Sequence, residues 1–239
     1  MKRLLPVIAI AGFLFLGTAG AAALPAPDSG QAENILIFWT DGGSLKAATL
    51  MCVRSPREPI GIVAIPVEVR VKDRFAGGTV AEAYGELGRQ GLTKCLADLF
   101  QVKIDSFFTI DQSTLDKTSQ VIGPVLMEGN ITTLADVFEG TYIDEAIDPQ
   151  VEIRHLAERM TEPSVIVKVP QLVWIISSEV QTNLGLHSLI SIYRAVEEQG
   201  PGILNKKALP WYEYYVNGCR YRVVPQDKWA QVLQSVISG

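Results

Sequence analysis

Short apolar runs alternate with amphipathic stretches along most of the chain. The runs at 34–40, 48–53 and 60–65 are rich in β-branched residues, as is typical of strands that are buried on both faces. The segment VEVRV at 67–71 alternates between apolar and polar residues, which predicts a strand with one solvated face. A further strand is predicted at 102–110.

Helical periodicity appears between these strands. From 79 to 100 the apolar residues follow helical spacing, and their stripe consists of Leu92, Cys95, Leu96, Leu99 and Phe100. Asp111 is placed to cap a helix that runs to about Ile122. We expect further helices at 148–160, over 163–184 with Pro170 as a kink or a new start, and at 225–237.

The segment YEYYVNGCRYRV predicts a β-hairpin, because Asn217-Gly218 is a strong signal for a two-residue turn. Strands that alternate with helices predict the α/β class. The expected fold is a single domain with a central mixed β-sheet flanked by helices on both faces.

The N-terminus has the pattern of an export segment. Lys2 and Arg3 precede an uncharged stretch at 4–24, with small residues at 19–23 that suit signal-peptide cleavage. The stretch also has about the 20 residues that span a bilayer, so residues 1–24 are either a signal peptide or an N-terminal membrane anchor. In both cases the basic residues stay inside, which predicts an extracytoplasmic protein, secreted or anchored to the cell membrane. We expect 25–33 to be a linker and 34–239 the α/β domain.

Composition excludes several classes of function. The 239 residues are 48% hydrophobic with a formal net charge of −5, which argues against disorder and against non-specific nucleic-acid binding. The three cysteines are widely spaced without a C-x-x-C pair, and we expect Cys52 and Cys95 to be buried free thiols. The two histidines, His155 and His187, are far apart and have no second histidine or cysteine at i+3 or i+4, so no zinc site is predicted.

The most suggestive local feature is the acidic, glycine-rich loop after the first strand. The apolar run ends at Asp41-Gly42-Gly43-Ser44, and the following residues do not form a Walker motif. Asp41 is therefore interpreted either as a turn or cap residue or as a metal or phosphate ligand.

Several segments further along the chain occur in a recognisable order. They are VAIPVEV, AEAYGELG, LADLFQVKIDSFFTIDQSTLDKTSQVIGPV, TNL, LP and VPQDK. In this order the chain resembles the LytR-CpsA-Psr family of cell-envelope proteins over about 34–238. Enzymes of that family transfer a phosphorylated glycopolymer from a polyprenyl-diphosphate carrier to peptidoglycan. They use Mg²⁺ held by aspartates and several arginines around the diphosphate.

The resemblance implies a ligand-binding set made of Asp41, Lys46, Glu68, Tyr84 and Arg154, with Asp41 as the remaining metal ligand. The family's D-S-R is Asp41-Gly42-Gly43 here, so the aspartate is kept and the arginine is lost. Its R-S-D-T is K-A-A-T at 46–49, which keeps a cation but loses the second metal-binding aspartate.

Further along, the family's arginines are missing again. Its I-P-R-D is I-P-V-E at 65–68, and its R-x-R strand falls near 138–140, which has no arginine. The lysine and asparagine before the conserved Ala-Tyr pair are Thr79 and Ala81. In the family's R-x-x-R-Q, the first arginine is Val151, Arg154 matches the second, and His155 replaces the glutamine.

These losses predict a weakened or absent catalytic activity. Losing one preorganised donor costs about 10²–10³ in rate, and losing an arginine at a phosphoryl transition state about 10³–10⁵. We therefore expect a degenerate member that binds a polyprenyl-phosphate lipid, a wall glycopolymer or a partner protein, with no cofactor.

Two rival hypotheses remain. The first is an active, Mg²⁺-dependent phosphotransferase that uses Asp41, Lys46, Glu68 and Arg154. The second is a structural or regulatory domain without a lipid pocket. The apolar helical stripes at 92–100 and 163–180 either line a channel for a prenyl chain or are ordinary core.

Overall fold

The computed structural model of the chain describes residues 33–55, 58–71, 78–127, 129–139, 155, 159, 162–185, 188, 192, 203–216 and 219–237. The strands in these ranges are β1 Glu33–Asp41, β2 Ser44–Val53, β3 Ile60–Ile65, β4 Val69–Arg70, β5 Ser106–Asp111, β6 Val125–Met127, β7 Asn130–Thr132, β8 Gln181–Thr182, β9 Leu204–Ala208, β10 Tyr212–Val216 and β11 Cys219–Val223. The helices are α1 Val80–Phe100, α2 Gln112–Ile122, α3 Leu134–Glu139, α4 Pro163–Ile166, α5 Val169–Glu179 and α6 Gln226–Ile237.

Six strands form the central sheet, in the order β8-β5-β1-β2-β3-β9. The β1·β5 and β3·β9 pairs are parallel, and the other three pairs are antiparallel. The predicted mixed sheet is therefore confirmed. A smaller sheet, β10-β11-β4, contains the predicted hairpin, in which β10 and β11 are antiparallel and Val216 pairs with Cys219.

Each face of the central sheet carries its own hydrophobic core, which explains why β1 is apolar without interruption. Alternate residues of β1 serve opposite faces: Ile35 and Ile37 belong to one core, and Leu36 and Phe38 to the other. The first core also contains buried side chains of α2 and α5. The second contains buried side chains of α1 and α6, including Trp229, which is 1% exposed. Helices thus flank both faces, as predicted.

The α1 helix is broken once, close to the candidate site. Gly88 has φ 67° and ψ −176°, a conformation that favours glycine, and the helix continues after it to Phe100. Its apolar stripe lies in the second core, where the Phe100 ring meets the Trp229 ring edge-on at 5.2 Å. The stripe at 92–100 is therefore core packing, and Leu172 and Ile175 of α5 are buried in the same way in the first core.

Other boundaries differ modestly from the sequence predictions. The second strand begins at Ser44 rather than at 48, and the fifth begins at Ser106 rather than at 102. The 67–71 segment forms only the two-residue strand β4, because residues 67 and 68 form a turn after Pro66. Asp111 caps α2 as predicted, and a new helix does begin at Val169, with Pro170 in its first turn.

Three predictions concern residues that lie outside the described ranges. They are the leader at 1–24, most of the helix at 148–160, and the linker at 25–33, except that Glu33 is described and begins β1 rather than ending a linker. Among the residues that the structure describes, no helix is both long and apolar enough to cross a membrane. Cys52 and Cys95 are buried free thiols, as expected.

Candidate functional site

The carboxyl ends of β1 and β5 lie side by side and form the candidate site. The two strands are parallel and adjacent, and their pairing places Thr40 next to Asp111. Ligands of open α/β sheets bind outside the carboxyl ends of the strands, where chain connections diverge. The residues that the sequence singled out at 40–46, together with Asp111, meet at this edge.

The acidic glycine loop is a tight β-hairpin turn. Asp41 pairs directly with Ser44, and the two glycines between them have φ 55° and 84°. Such values suit the mirror-image turns that match the twist of a hairpin, and glycine adopts them without strain. The register shifts next to the turn, so that Lys46 is an extra residue opposite the Trp39–Thr40 step.

Asp41 and Lys46 form an ion pair at the tip of this hairpin. The Lys46 Nζ lies 3.1 Å from Asp41 Oδ2, and the side chains are 47% and 51% exposed. No group of three or more metal-binding side chains occurs among the described residues. Mg²⁺ requires near-octahedral oxygen ligation. The one carboxylate at the hairpin tip is solvated and already holds an ammonium group, so the hairpin by itself does not fit a Mg²⁺ site.

Behind the hairpin, Asp111 is held by hydrogen bonds. The Thr40 hydroxyl donates to Asp111 Oδ2 at 3.1 Å. Asp111 Oδ1 accepts from the backbone N–H of Ser113 at 3.1 Å and from its hydroxyl at 3.0 Å. This carboxylate therefore links the end of β1 to the N-terminus of α2, and its charge is stabilised by three donors.

Tyr84 reaches this edge from α1. Its ring lies 5.4 Å from that of Phe38, on the face of the sheet that α1 covers. Burial raises the pKa of the Tyr84 phenol, the positive charge of Arg89 lowers it, and the carboxylate of Asp111 raises it. The net effect is a raised pKa, so Tyr84 stays a neutral hydrogen-bond donor over a wider alkaline range than an ordinary tyrosine. Tyr84, Arg89 and Asp111 thus share one electrostatic environment.

Arg89 lies next to this site, over β5 and its neighbour β8, and was not predicted from the sequence. It follows the break at Gly88, and its guanidinium lies over the Phe107 ring with Cζ 3.8 Å from the centroid. Its Nη1 donates to the side-chain oxygen of Gln181, on the edge strand β8, at 2.8 Å. The sequence signal that could have identified Arg89 is its position as a basic residue directly after the helix-breaking Gly88, downstream of the Ala83-Tyr84 pair.

Glu68 forms an ion pair on the small sheet. Its Oε2 lies 3.8 Å from Arg222 Nη1, which places it against the small sheet. Arg222 also contacts Glu213 at 3.3 Å and lies over the Trp211 ring at 4.4 Å. Glu68 therefore helps to connect the β3–β4 turn to the β10–β11 hairpin.

Of two further positions from the resemblance, one has a structural outcome. Thr79, at the place of the family's lysine, caps α1: its hydroxyl accepts from Glu82 N, and its own N–H donates to Glu82 Oε2 at 2.6 Å. This is a complete capping box. Arg154 lies outside the described residues, so its prediction stands untested.

No protein-family model matches the chain, and no curated protein matches it. Solved structures do match. B. subtilis TagV is similar with a TM-score of 0.65 and 15% identity, over 87% of this chain and 97% of that one. Lin1025 from Listeria innocua has a TM-score of 0.59 and 16% identity, over 86% and 96%. TagT bound to LI-WTA has a TM-score of 0.59 and 15% identity, over 92% and 96%. The chain therefore has the fold of TagV and TagT, which are LytR-CpsA-Psr proteins.

Proposed function

We propose that this chain is an exported cell-envelope protein that binds a lipid-linked wall glycopolymer precursor without transferring it. The observation that carries the proposal is the fold shared with TagT, whose structures hold wall teichoic acid precursors as LI-WTA and LIIa-WTA. The match extends over nearly the whole of each TagT chain. Among the described residues, the surface around the ends of β1 and β5 and the adjoining β8 presents positive charge from Lys46 and Arg89 beside neutral donors.

The state of the hairpin supports binding without catalysis. Its one carboxylate is engaged by its own lysine, and both groups are half exposed. A phosphoryl transfer needs preorganised cations around the leaving group in a site that excludes water. An exposed pair at a hairpin tip does not supply such a site.

The location of the protein follows from the N-terminal segment, as part of the same proposal. With Lys2 and Arg3 inside, the remainder of the chain is placed across the membrane, where wall precursors are used. Fractionation of cells that produce the full-length chain checks this, and recovery in the cytoplasm would contradict it.

Binding is tested with the full-length protein in detergent. We expect a prenyl-phosphate-linked glycan to bind saturably, and the matched prenyl alcohol, which has no phosphate, to bind at least about tenfold more weakly. Isothermal titration calorimetry measures both affinities. Equal affinity for the two ligands, or no binding of either, would remove the basis of the proposal.

Absence of transfer is tested with the same ligand, Mg²⁺ and peptidoglycan as acceptor. We expect no turnover above background. If turnover is seen, a matched pair of variants shows whether it depends on the hairpin. Asp41→Ala changes the hairpin, and Asp227→Ala removes another exposed aspartate beside a lysine. Turnover that is lost in the first variant and kept in the second would establish the active phosphotransferase instead.

A further inference from the structure

Two buried polar atoms without hydrogen-bond partners lie where α1 covers β5, one on the helix and one on the strand. Among the described residues, four buried side-chain polar atoms have no hydrogen-bond partner, and two of them are Arg89 Nε and Thr109 Oγ1. Thr109 is 8% exposed. A buried polar atom without a partner costs about 1–3 kcal/mol, so each such atom requires an explanation.

The sheet register brings these two residues to one surface. Thr109 pairs directly with Gln181, so both side chains lie on the same face of the β5–β8 pair. Phe107 is two residues from Thr109 on the same strand, so it shares that face. Arg89 contacts both Phe107 and Gln181, which places its guanidinium over the surface to which Thr109 belongs.

The charge of Arg89 is not neutralised by a carboxylate within the described part of the chain. Its polar contact is with the neutral Gln181 side chain, and its remaining contact is with the Phe107 ring. Asp111 is near enough to act on Tyr84. Its oxygens, however, already accept from Thr40 and Ser113. A partly buried guanidinium whose Nε–H has no partner is ready to donate to an acceptor oxygen.

We propose that Arg89 and Thr109, with Tyr84 beside them, form a binding site for a phosphoryl group between α1 and the β5–β8 edge. Phosphoryl oxygens point in several directions, so one group can accept from the guanidinium and from a hydroxyl at the same time. The Phe107 ring holds the guanidinium plane in place. Identifying the phosphoryl group as that of an envelope lipid rests on the proposed function, whereas the site itself does not.

The test uses the full-length protein in detergent, with pyrophosphate, inorganic phosphate and geranylgeranyl phosphate as probes. Phosphorus NMR titration gives the affinities. We expect Arg89→Gln to weaken the binding of pyrophosphate and of geranylgeranyl phosphate by at least about tenfold, because it removes a charge-assisted hydrogen bond. Thr109→Val keeps the shape and removes the hydroxyl, and we expect a loss of about threefold or more.

A matched control is available on the small sheet. Arg70 also lies over an aromatic ring, that of Tyr221, at 4.4 Å. Arg70→Gln should leave all three affinities unchanged. If Arg89→Gln does not fold, Arg89→Lys and Thr109→Val still test the site, since a lysine keeps the charge but not the planar fork.

The outcomes separate this inference from the proposed function. If the wild-type protein binds no phosphate probe, or if the Arg89 and Thr109 variants bind as the wild type does, the site is overturned and its polar atoms are satisfied by water. If geranylgeranyl phosphate binds equally well to the wild type and to Arg89→Gln, the site fails while the proposed function stands. If pyrophosphate binds through Arg89 but the lipid does not bind, the site stands for free phosphates and the proposed function fails.

Discussion

Two regions of the β1–β5 pair differ in how completely their polar groups are hydrogen-bonded within the protein. At the amino ends, the backbone N–H of Asn34 donates to Asp105 Oδ2 at 3.0 Å, and the Asn34 side chain donates to Lys103 O at 2.8 Å. The Asn34 side-chain oxygen accepts from the Cys52 thiol at 2.9 Å. These donors and acceptors are matched within the protein.

Along the β5–β8 edge and at the carboxyl ends of the pair, the matching is incomplete. Asp111 accepts from three donors, but Arg89 and Thr109 each keep a buried atom without a partner, and the Asp41 and Lys46 side chains are half exposed. The difference indicates that the amino ends are built for stability, whereas the surface beside Arg89 retains capacity for a ligand. Substitutions at the amino ends should change the free energy of unfolding and leave ligand binding intact, whereas those at the Arg89 face should do the reverse.

The largest stability effect is expected for Asp105→Ala. This change removes the acceptor for the Asn34 backbone N–H and the ion-pair partner of Lys103. Hydrogen bonds to charged groups contribute about 1.5–3 kcal/mol, so we expect a loss of about 2 kcal/mol in urea unfolding. Glu86→Ala, at an exposed position of α1, is the control and should stay within about 0.5 kcal/mol. A weakened phosphate affinity in the folded Asp105 variant would break the separation of the two ends.

The second prediction uses the thiol at the same end. Burial raises the pKa of Cys52 from 9.0 to about 12, with Arg54 opposing and Asp105 adding to the shift. The unfolded chain therefore loses this proton before the folded protein does. The stabilisation is complete below pH 9.0 and is lost as the pH rises to about 12.

Urea unfolding between pH 8 and pH 10.5 measures this effect. Above pH 9.0, the pKa of the thiol in the unfolded chain, the free energy of unfolding of the wild type should fall by up to about 1.4 kcal/mol per pH unit more than that of Cys52→Ala. Parallel curves for the two proteins would show that the thiol is not shielded. The amino end would then be less tightly packed than the comparison requires.

The third prediction concerns the hairpin turn. Gly43 has φ 84°, and a Cβ atom added there would meet nothing within 4 Å, so Gly43→Ala should cost about 1 kcal/mol through backbone strain alone. Gly85→Ala is the matched control. It also meets nothing within 4 Å, but it lies in α1 without a positive φ, and it should stabilise the protein by about 0.5–1 kcal/mol. Unchanged phosphate binding in both variants would confirm that the hairpin is a turn and not a ligand loop.

Local signals explain which parts of the fold could be predicted from the sequence. The β10–β11 hairpin, the Asp111 cap and the helical stripe of α1 each depend on neighbours within a few residues, and each prediction is confirmed. The Gly42-Gly43 pair between two apolar runs is itself a hairpin signal. Its role stayed ambiguous in the sequence because an acidic glycine-rich loop is also typical of phosphate chemistry.

The Arg89 site could not be predicted in the same way. Arg89 and Gln181 are 92 residues apart, and their contact depends on a two-residue edge strand that has no apolar pattern of its own. The unpartnered state of Thr109 appears only once the strand register and the packing of α1 are known. The family resemblance directed attention to positions where arginines are missing, not to a new one.

The smallest effect is expected for the Asp41–Lys46 ion pair. Exposed pairs contribute about 0–1 kcal/mol, because solvent screens the charges and the side chains lose conformational freedom. A double-mutant cycle with Asp41→Ala and Lys46→Ala, followed by urea unfolding, isolates the coupling between them. We expect a coupling below about 0.5 kcal/mol that decreases further in high salt. A larger coupling that persists in salt would mean that this end of the sheet is as tightly matched as the other, and the contrast between the two ends would then rest on Arg89 and Thr109 alone.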